Sequence, residues 1–162
     1  MTTGPRIVPL NSQMKLKPLL KDLKKINPNL ECDIYDIERD VDEEAKSYFK
    51  AIGIEVPLPL QAMCFNFCTS SIFKGRWLIQ LDTGTGKTAL CFTVACHYAS
   101  LGKKVFIINI SEELTFRDYK KARQTIDITG ISVCLLEDPD ADPNLFEGIA
   151  FVSFKVFSAL LK

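Results

Sequence analysis

This sequence predicts a three-layer α/β fold built on a parallel sheet, and three observations predict it. Four short apolar runs, at 77–81, 104–110, 131–136 and 149–153, alternate with stretches whose apolar residues recur at helical spacing. Successive runs are separated by a dozen residues or more, enough for a helical crossover that makes neighbouring strands parallel. Between the first run and its helix stands LDTGTGKT, Leu81 to Thr88, in the strand, glycine loop, helix order of a phosphate-binding loop.

In that loop Gly84 and Gly86 let the backbone curl so that successive N–H groups point inward, and the helix from Lys87 adds the positive end of its dipole. Thr83, Gly84, Thr85 and Gly86 form the cradle expected to hold the phosphates of ATP. Lys87 is the candidate catalytic cation, a point charge reaching the β- and γ-phosphates, and the Thr88 hydroxyl is the candidate Mg²⁺ ligand. The usual pattern places Gly or Ala six residues before the lysine, where this chain has Leu81.

Along the chain, Met1 to Asn11 carries Gly4, Pro5 and Pro9 without a period and reads as a loose end. From Met14 to Ile26, Leu16, Leu19, Leu20, Leu23 and Ile26 recur at helical spacing among five lysines, which gives a basic amphipathic helix. Such a helix suits either packing on the domain or contact with a membrane surface or an acidic partner. Pro18 fits only near its first turn. Glu31 to Glu44 holds eight acidic residues against Arg39 alone. Asp42 is a plausible N-cap for a helix over 43–52 that Gly53 ends. Two prolines, Pro57 and Pro59, keep the next segment extended, and a helix from Leu60 runs on toward Gly75. On its first turn stands Gln61, twenty-six residues before Lys87. Its amide both donates and accepts, as an adenine edge requires.

After the loop, Leu90, Val94, Tyr98 and Leu101 make the inner stripe of a helix that Gly102 terminates, with His97 on its surface. KVFIINI, 104–110, is near-continuously apolar, like a strand buried on both faces of a parallel sheet. Ser111 is the expected N-cap of a helix over 112–126, with acids in the first turn and an exit at Gly130. ISVCLL and IAFVS are the last two strands, and a helix begins at Phe154. The acids of 137–143 begin like a calcium loop, but Pro143 replaces the turn glycine and Ile149 the closing glutamate, so an acidic surface turn is expected.

Composition narrows the function classes. With 162 residues, 47% hydrophobic and 25% charged, the chain is long enough for one domain with a sizeable core. Twenty basic and twenty acidic residues cancel, so no global field favours nucleic acid or anionic lipid, and such partners must be met locally. The six cysteines include no CxxC pair and read as buried free thiols in a reducing, cytoplasmic setting. No long apolar run or signal peptide is visible, and attachment at the periphery of a membrane stays open.

With these residues in view, the chain resembles the first nucleotide-binding half of the superfamily-two, helicase-like DEAD ATPases, and within them the SecA family of preprotein translocase motors. LGKKVFIINISEELTFRD, Leu101 to Asp118, is similar without a gap to that family's run of Leu-x-Gly-Lys-x-Val, an apolar strand, Asn-Asp/Glu-Tyr-Leu-Ala and Arg-Asp. Gly102, Lys103, Val105, Leu114, Arg117 and Asp118 keep the pattern. FKAIGIEVPLPLQ looks like the segment before the family's own glutamine, and IAFVSFKVF is similar to its Ile-Thr-Tyr-Gly-Thr strand. The family carries Met where Leu81 stands. Thr85, Ser111 and Glu113 depart from its usual Glu, Asn and Tyr.

The resemblance spans roughly Asp42 to Lys162 and implies a P-loop NTPase, RecA-like sheet as a partial domain. It would be preceded by an amino-terminal extension over 1–41 and would end before motif II. It further implies ATP and Mg²⁺ as cofactors, preprotein and a membrane channel as partners together with the rest of the motor chain, and Gln61 as the adenine contact. No Asp-Glu pair follows the strand at 149–153, so the expectation for residues 1–162 is nucleotide binding without efficient hydrolysis. A nucleic-acid helicase half, a related remodelling ATPase and a non-hydrolysing nucleotide-binding adaptor are the other readings. Helicases present Pro-Thr-Arg-Glu-Leu near Ser111 to Leu114, whereas Glu112 and Glu113 here would repel backbone phosphates.

Overall fold

The structure is a computed structural model that describes residues 6–10, 20–22, 24–25, 28–29, 34–70, 73–81, 84 and 86–162. The chain divides into two compact units, Met1–Asp42 with Pro57–Leu90, and Glu43–Val56 with Cys91–Lys162.

The first unit contains a two-stranded parallel sheet. β1 (Arg6–Leu10) pairs with β2 (Trp77–Leu81), in register from Arg6 opposite Trp77 to Leu10 opposite Leu81. The loose end expected over 1–11 is therefore a strand at 6–10. Its run is too short to show a period, and Pro9 reads as a breaker in sequence, yet an edge strand tolerates proline.

Within the acidic block lies α1 (Ile34–Glu38), another element that sequence did not suggest. Ile37 is fully buried, and Asn66 Nδ2 donates to the carbonyls of Ile37 (3.1 Å) and Arg39 (2.7 Å). Those bonds satisfy acceptors that a helix end leaves unpaired. Asn66 belongs to α3, with α2 (Glu43–Ala51) preceding it in the chain; α3 runs Pro59–Cys68 and stops seven residues short of Gly75. Thr69 Oγ1 donates to the Phe65 carbonyl at 2.8 Å and Ser70 Oγ to that of Phe67 at 2.7 Å, so two hydroxyls end the helix before the glycine can. Of the basic helix expected over 14–26, Leu20 to Asp22, Lys24 and Lys25 are helical, with Leu20 buried and the lysines exposed. The rest of it, Pro18 included, lies outside the described residues.

The second unit holds β3 (Val105–Asn109), β4 (Val133–Leu136) and β5 (Ile149–Ser153), parallel and in the order β3-β5-β4. Ile107, Phe151 and Leu135 stand side by side in register, so they share one face. On that face they join Tyr48 of α2, Phe92, Ala95 and Cys96 of α4 (Lys87–Ser100), and Ala122 of α5 (Glu112–Arg123) in one apolar cluster. Phe106 points to the opposite face, where its ring meets Phe146 at 5.0 Å and Phe157 of the last helix, Phe154–Leu160, at 5.3 Å. Helices thus cover both faces, the expected three layers. β5 is buried along its whole length because it has a strand on each side and a helical layer on each face.

Two expectations are corrected here. β3 reads as a strand buried on both faces, but Ile108 (41%) and Ile110 (86%) are exposed, and among the described residues it pairs with β5 alone. Apolar content signals burial without saying which strand stands next. The helix expected over 112–126 breaks after Arg123, where Thr125 Oγ1 donates to the Ala122 carbonyl at 2.6 Å. A four-residue α6 (Ile126–Thr129) follows, capped by Gly130 at φ 69°, which leaves Phe154–Leu160 as α7. Ser111 and Ser153 accept from the N–H groups of Leu114 and Val156 and open α5 and α7. The acidic stretch forms turns, with Asp138 and Asp142 each accepting from the N–H two residues on at 2.9 Å. His97 is half-buried, edge-on to Tyr98. No helix among the described residues is long and apolar enough to cross a membrane.

Phe151→Ala should destabilise the chain by about 3–5 kcal/mol in urea unfolding, since it removes a ring from the centre of the cluster; a loss under about 1 kcal/mol would contradict that packing. The described cysteines are free thiols, and Cys32 lies outside the described residues. Burial pushes the Cys96 thiol up to about 12, whereas Cys91 is exposed. At about pH 8, iodoacetamide followed by peptide mapping should modify Cys91 and spare Cys96 until denaturant is added, because a thiol that far below its pKa supplies almost no thiolate. Equal labelling in the folded chain would refute it.

Candidate functional site

The first unit assembles part of the predicted loop. Gly84 and Gly86 have φ of 85° and 78°, the left-handed conformation that costs an L side chain most, and both are exposed. The Gly86 carbonyl accepts from Leu90 N–H at 3.0 Å, the first bond of α4. Lys87 and Thr88 open that helix. Both side chains are exposed, and neither enters a hydrogen bond or ion pair among the described residues. Thr83 and Thr85, like Asp82, lie outside the described residues.

Gln61 stands against this loop. A Cβ on Gly86 would meet Gln61 Nε2 at 3.0 Å, tighter than ordinary contact, so the glutamine tip would have to give by a few tenths of an ångström, while the positive φ is what calls for glycine. Gln61 is 6% exposed and occupies the third position of α3, with Pro59 at the first. Its Oε1 accepts from Leu58 N–H at 2.9 Å, one half of a capping box; Leu58 has no side-chain oxygen for the other half. The side chains of Cys64, Phe65, Phe67 and Cys68 bury the rest of α3, and Asn66 fixes it to the chain at 37–39. The structure thus brings Gln61 to Gly86, and chain continuity puts Lys87 and Thr88 directly after it.

These residues fit a nucleoside triphosphate with Mg²⁺. Two glycines leave no Cβ in the described part of the cradle, an uncommitted ammonium stands at a helix start for phosphate charge, and an uncommitted hydroxyl is available to a hard cation. No group of three or more metal-ligating side chains occurs among the described residues, so a cation here would draw on Thr88 and on the phosphates themselves.

In the second unit two arrangements stand out that spacing alone did not reveal. Asp118, 7% exposed, accepts from Asn109 Nδ2 at 3.1 Å and from Arg117 Nε and Nη2, both at 3.3 Å. One buried carboxylate thereby ties the end of β3 to α5 and fixes a half-exposed guanidinium. A shallow cavity of about 110 Å³ opens where β4 and β5 end, lined by Glu112, Thr115, Leu135, Glu137, Ser153 and Val156, among others. None of the sequence-derived site residues lies in it.

The sequence profile of the SecA DEAD-like domain matches residues 42–144, well over half of the chain. No curated protein and no solved structure matches it. The match takes in Gln61, the glycine loop, Lys87, Thr88 and the Arg117-Asp118 pair, and the parallel α/β architecture agrees with a partial RecA-like domain. The chain belongs to the SecA DEAD-like domain family.

Proposed function

We propose that this chain is the ATP-binding front half of a SecA-like protein-translocation motor. Residues 42–162 would form the nucleotide-binding domain and residues 1–41 an extension before it. The observation that carries this reading is the exposed Lys87 at a helix start, directly after two glycines of positive φ and beside a buried glutamine, within a chain of this family. Thr83, Gly84, Thr85 and Gly86 cradle the phosphates, Lys87 neutralises the β- and γ-groups, Thr88 takes one position on Mg²⁺, and Gln61 reads adenine. Mg²⁺, held in part by Thr88, would supply charge neutralisation to the phosphates.

Family membership supports a preprotein and a membrane channel as partners, together with the remainder of a motor chain, and a cytoplasmic place at the membrane periphery. Glu112 and Glu113, exposed on the first turn of α5, disfavour the helicase reading, because they would repel a phosphate backbone.

Lys87→Ala should weaken Mg·ATP binding by about ten- to over a hundredfold in titration calorimetry, since a hydrogen bond to a charged group contributes on the order of 1.5–3 kcal/mol. Equal affinities for wild type and variant would sink the nucleotide reading. Gln61→Ala should weaken ATP and leave GTP nearly unchanged in competition binding. A variant that loses both equally would assign Gln61 to support of the loop instead.

A further inference from the structure

Two of the unbridged cysteines stand together. Cys64 and Cys68 are four positions apart on α3, so they share one face of that helix, one turn from each other. Both are buried, 3% and 5% exposed. The Cys68 thiol hydrogen-bonds the Cys64 sulfur and holds the Cys64 thiol below its ordinary value, against the burial that pushes it up. Cys96 supplies the contrast within the same chain: it is fully buried, and burial raises it to about 12. A buried thiol whose thiolate is stabilised by a neighbouring thiol is the arrangement of a reactive pair, and Cys96 is that of an inert core residue.

We propose that Cys64 and Cys68 form a peroxide-sensitive dithiol site, which closes to a reversible disulfide at the end of α3. The Cys64 thiolate attacks one oxygen of hydrogen peroxide. The O–O bond breaks, hydroxide leaves and takes up the displaced thiol proton as water, and the sulfur, oxidised by two electrons, becomes a sulfenic acid. The Cys68 sulfur then attacks that of Cys64. The S–S bond forms as the S–O bond breaks, and a second water departs with the Cys68 proton, so two thiols and one peroxide give one disulfide and two waters. Burial selects the oxidant by size. Hydrogen peroxide is little larger than water, whereas oxidised glutathione must bring a bulky sulfur to thiols with almost no exposed surface.

The helix sets how tightly the bond is held. Residues four apart on a helix keep their Cβ atoms about 5–6 Å apart, and a relaxed disulfide needs about 3.5–4.5 Å. Closure must therefore draw in the last turn of α3. That turn is the one able to yield, because Cys68 is the last residue of α3 and Thr69 has already left helical geometry, at φ −104° and ψ 1°. A disulfide closed against its helix is strained, and strained disulfides are the readily reduced ones.

The test treats the full chain at neutral pH with hydrogen peroxide, then alkylates it in denaturant and digests it with trypsin. Peptide 51–74, which holds both cysteines, should become unalkylated and lighter by two hydrogens, apart from any oxygen gained at Met63. That change should run about tenfold or more faster than oxidation of Cys96. Oxidised glutathione in place of peroxide should leave both thiols alkylatable over the same time, and reduced glutathione added after peroxide should restore them. Cys68→Ala should stop at the sulfenic acid, which dimedone traps at Cys64, and Cys64→Ala should leave Cys68 as slow as Cys96. Equal oxidation of Cys64 and Cys96 in wild type overturns the proposal whether or not the variants fold, and so does a disulfide that joins either cysteine to a third. A Cys64–Cys68 bond that reduced glutathione cannot open in the folded chain overturns its reversibility.

Discussion

At Gly86 a hydrogen stands where any other residue would place a carbon, and the space so left adjoins the amide nitrogen of Gln61. Backbone conformation and close packing meet on that residue. Its φ of 78° turns the chain from the loop into α4, and its missing Cβ admits a neighbour from α3. The Gly86 carbonyl then accepts the first bond of α4, so Lys87 and Thr88 take their places as helical residues with exposed side chains. Through Gln61 the constraint reaches back to Leu58 and the turn that starts α3. The candidate site is therefore a property of backbone geometry first and of side-chain chemistry second.

The second unit depends on a different constraint, the burial of a parallel strand on all sides. β5 has β3 and β4 as neighbours, α5 packed on one face and α7 on the other, and no residue of it is exposed. Such a strand satisfies every ladder group and removes a continuous apolar surface from water. Asp118 is a buried carboxylate on the inner side of α5. A buried carboxylate is tolerable only where donors surround it, and the Asn109 amide and the Arg117 guanidinium supply them. The adjacency of Arg117 and Asp118, which in sequence is only a family pattern, thus has a structural reason: the acid seats the helix on β3 and the arginine shares its charge.

Sequence revealed elements whose cause is local. The apolar runs at 77–81 and 149–153, the serine cap at 111 and the exit at Gly130 depend on residues next to one another, and each stands where spacing predicts. Elements whose cause is tertiary were hidden. β1 exists because β2 offers it a ladder, α1 because Asn66 caps its carbonyls from a distance of twenty-nine positions, and among the described residues β3 pairs with β5 alone because of strand order rather than composition. For the candidate site, residue type and spacing named Gly84, Gly86, Lys87 and Thr88, and the family resemblance named Gln61. None of these signals could show that Gln61 Oε1 is already engaged by Leu58, because a backbone donor leaves no mark on the identity of the residue that carries it.

The charges at the start of α5 bear on what else this family member could handle. Glu112 and Glu113 follow the Ser111 cap, where negative charge complements the helix dipole, so their presence has a purely structural cause. Both also stay exposed at the end of a parallel strand, the side of an α/β sheet where ligands usually approach. An anionic polymer arriving there meets repulsion, and a polypeptide of mixed charge does not. The same negative charge that stabilises the helix would repel a phosphate backbone, which supports the proposed reading over a helicase without identifying a substrate.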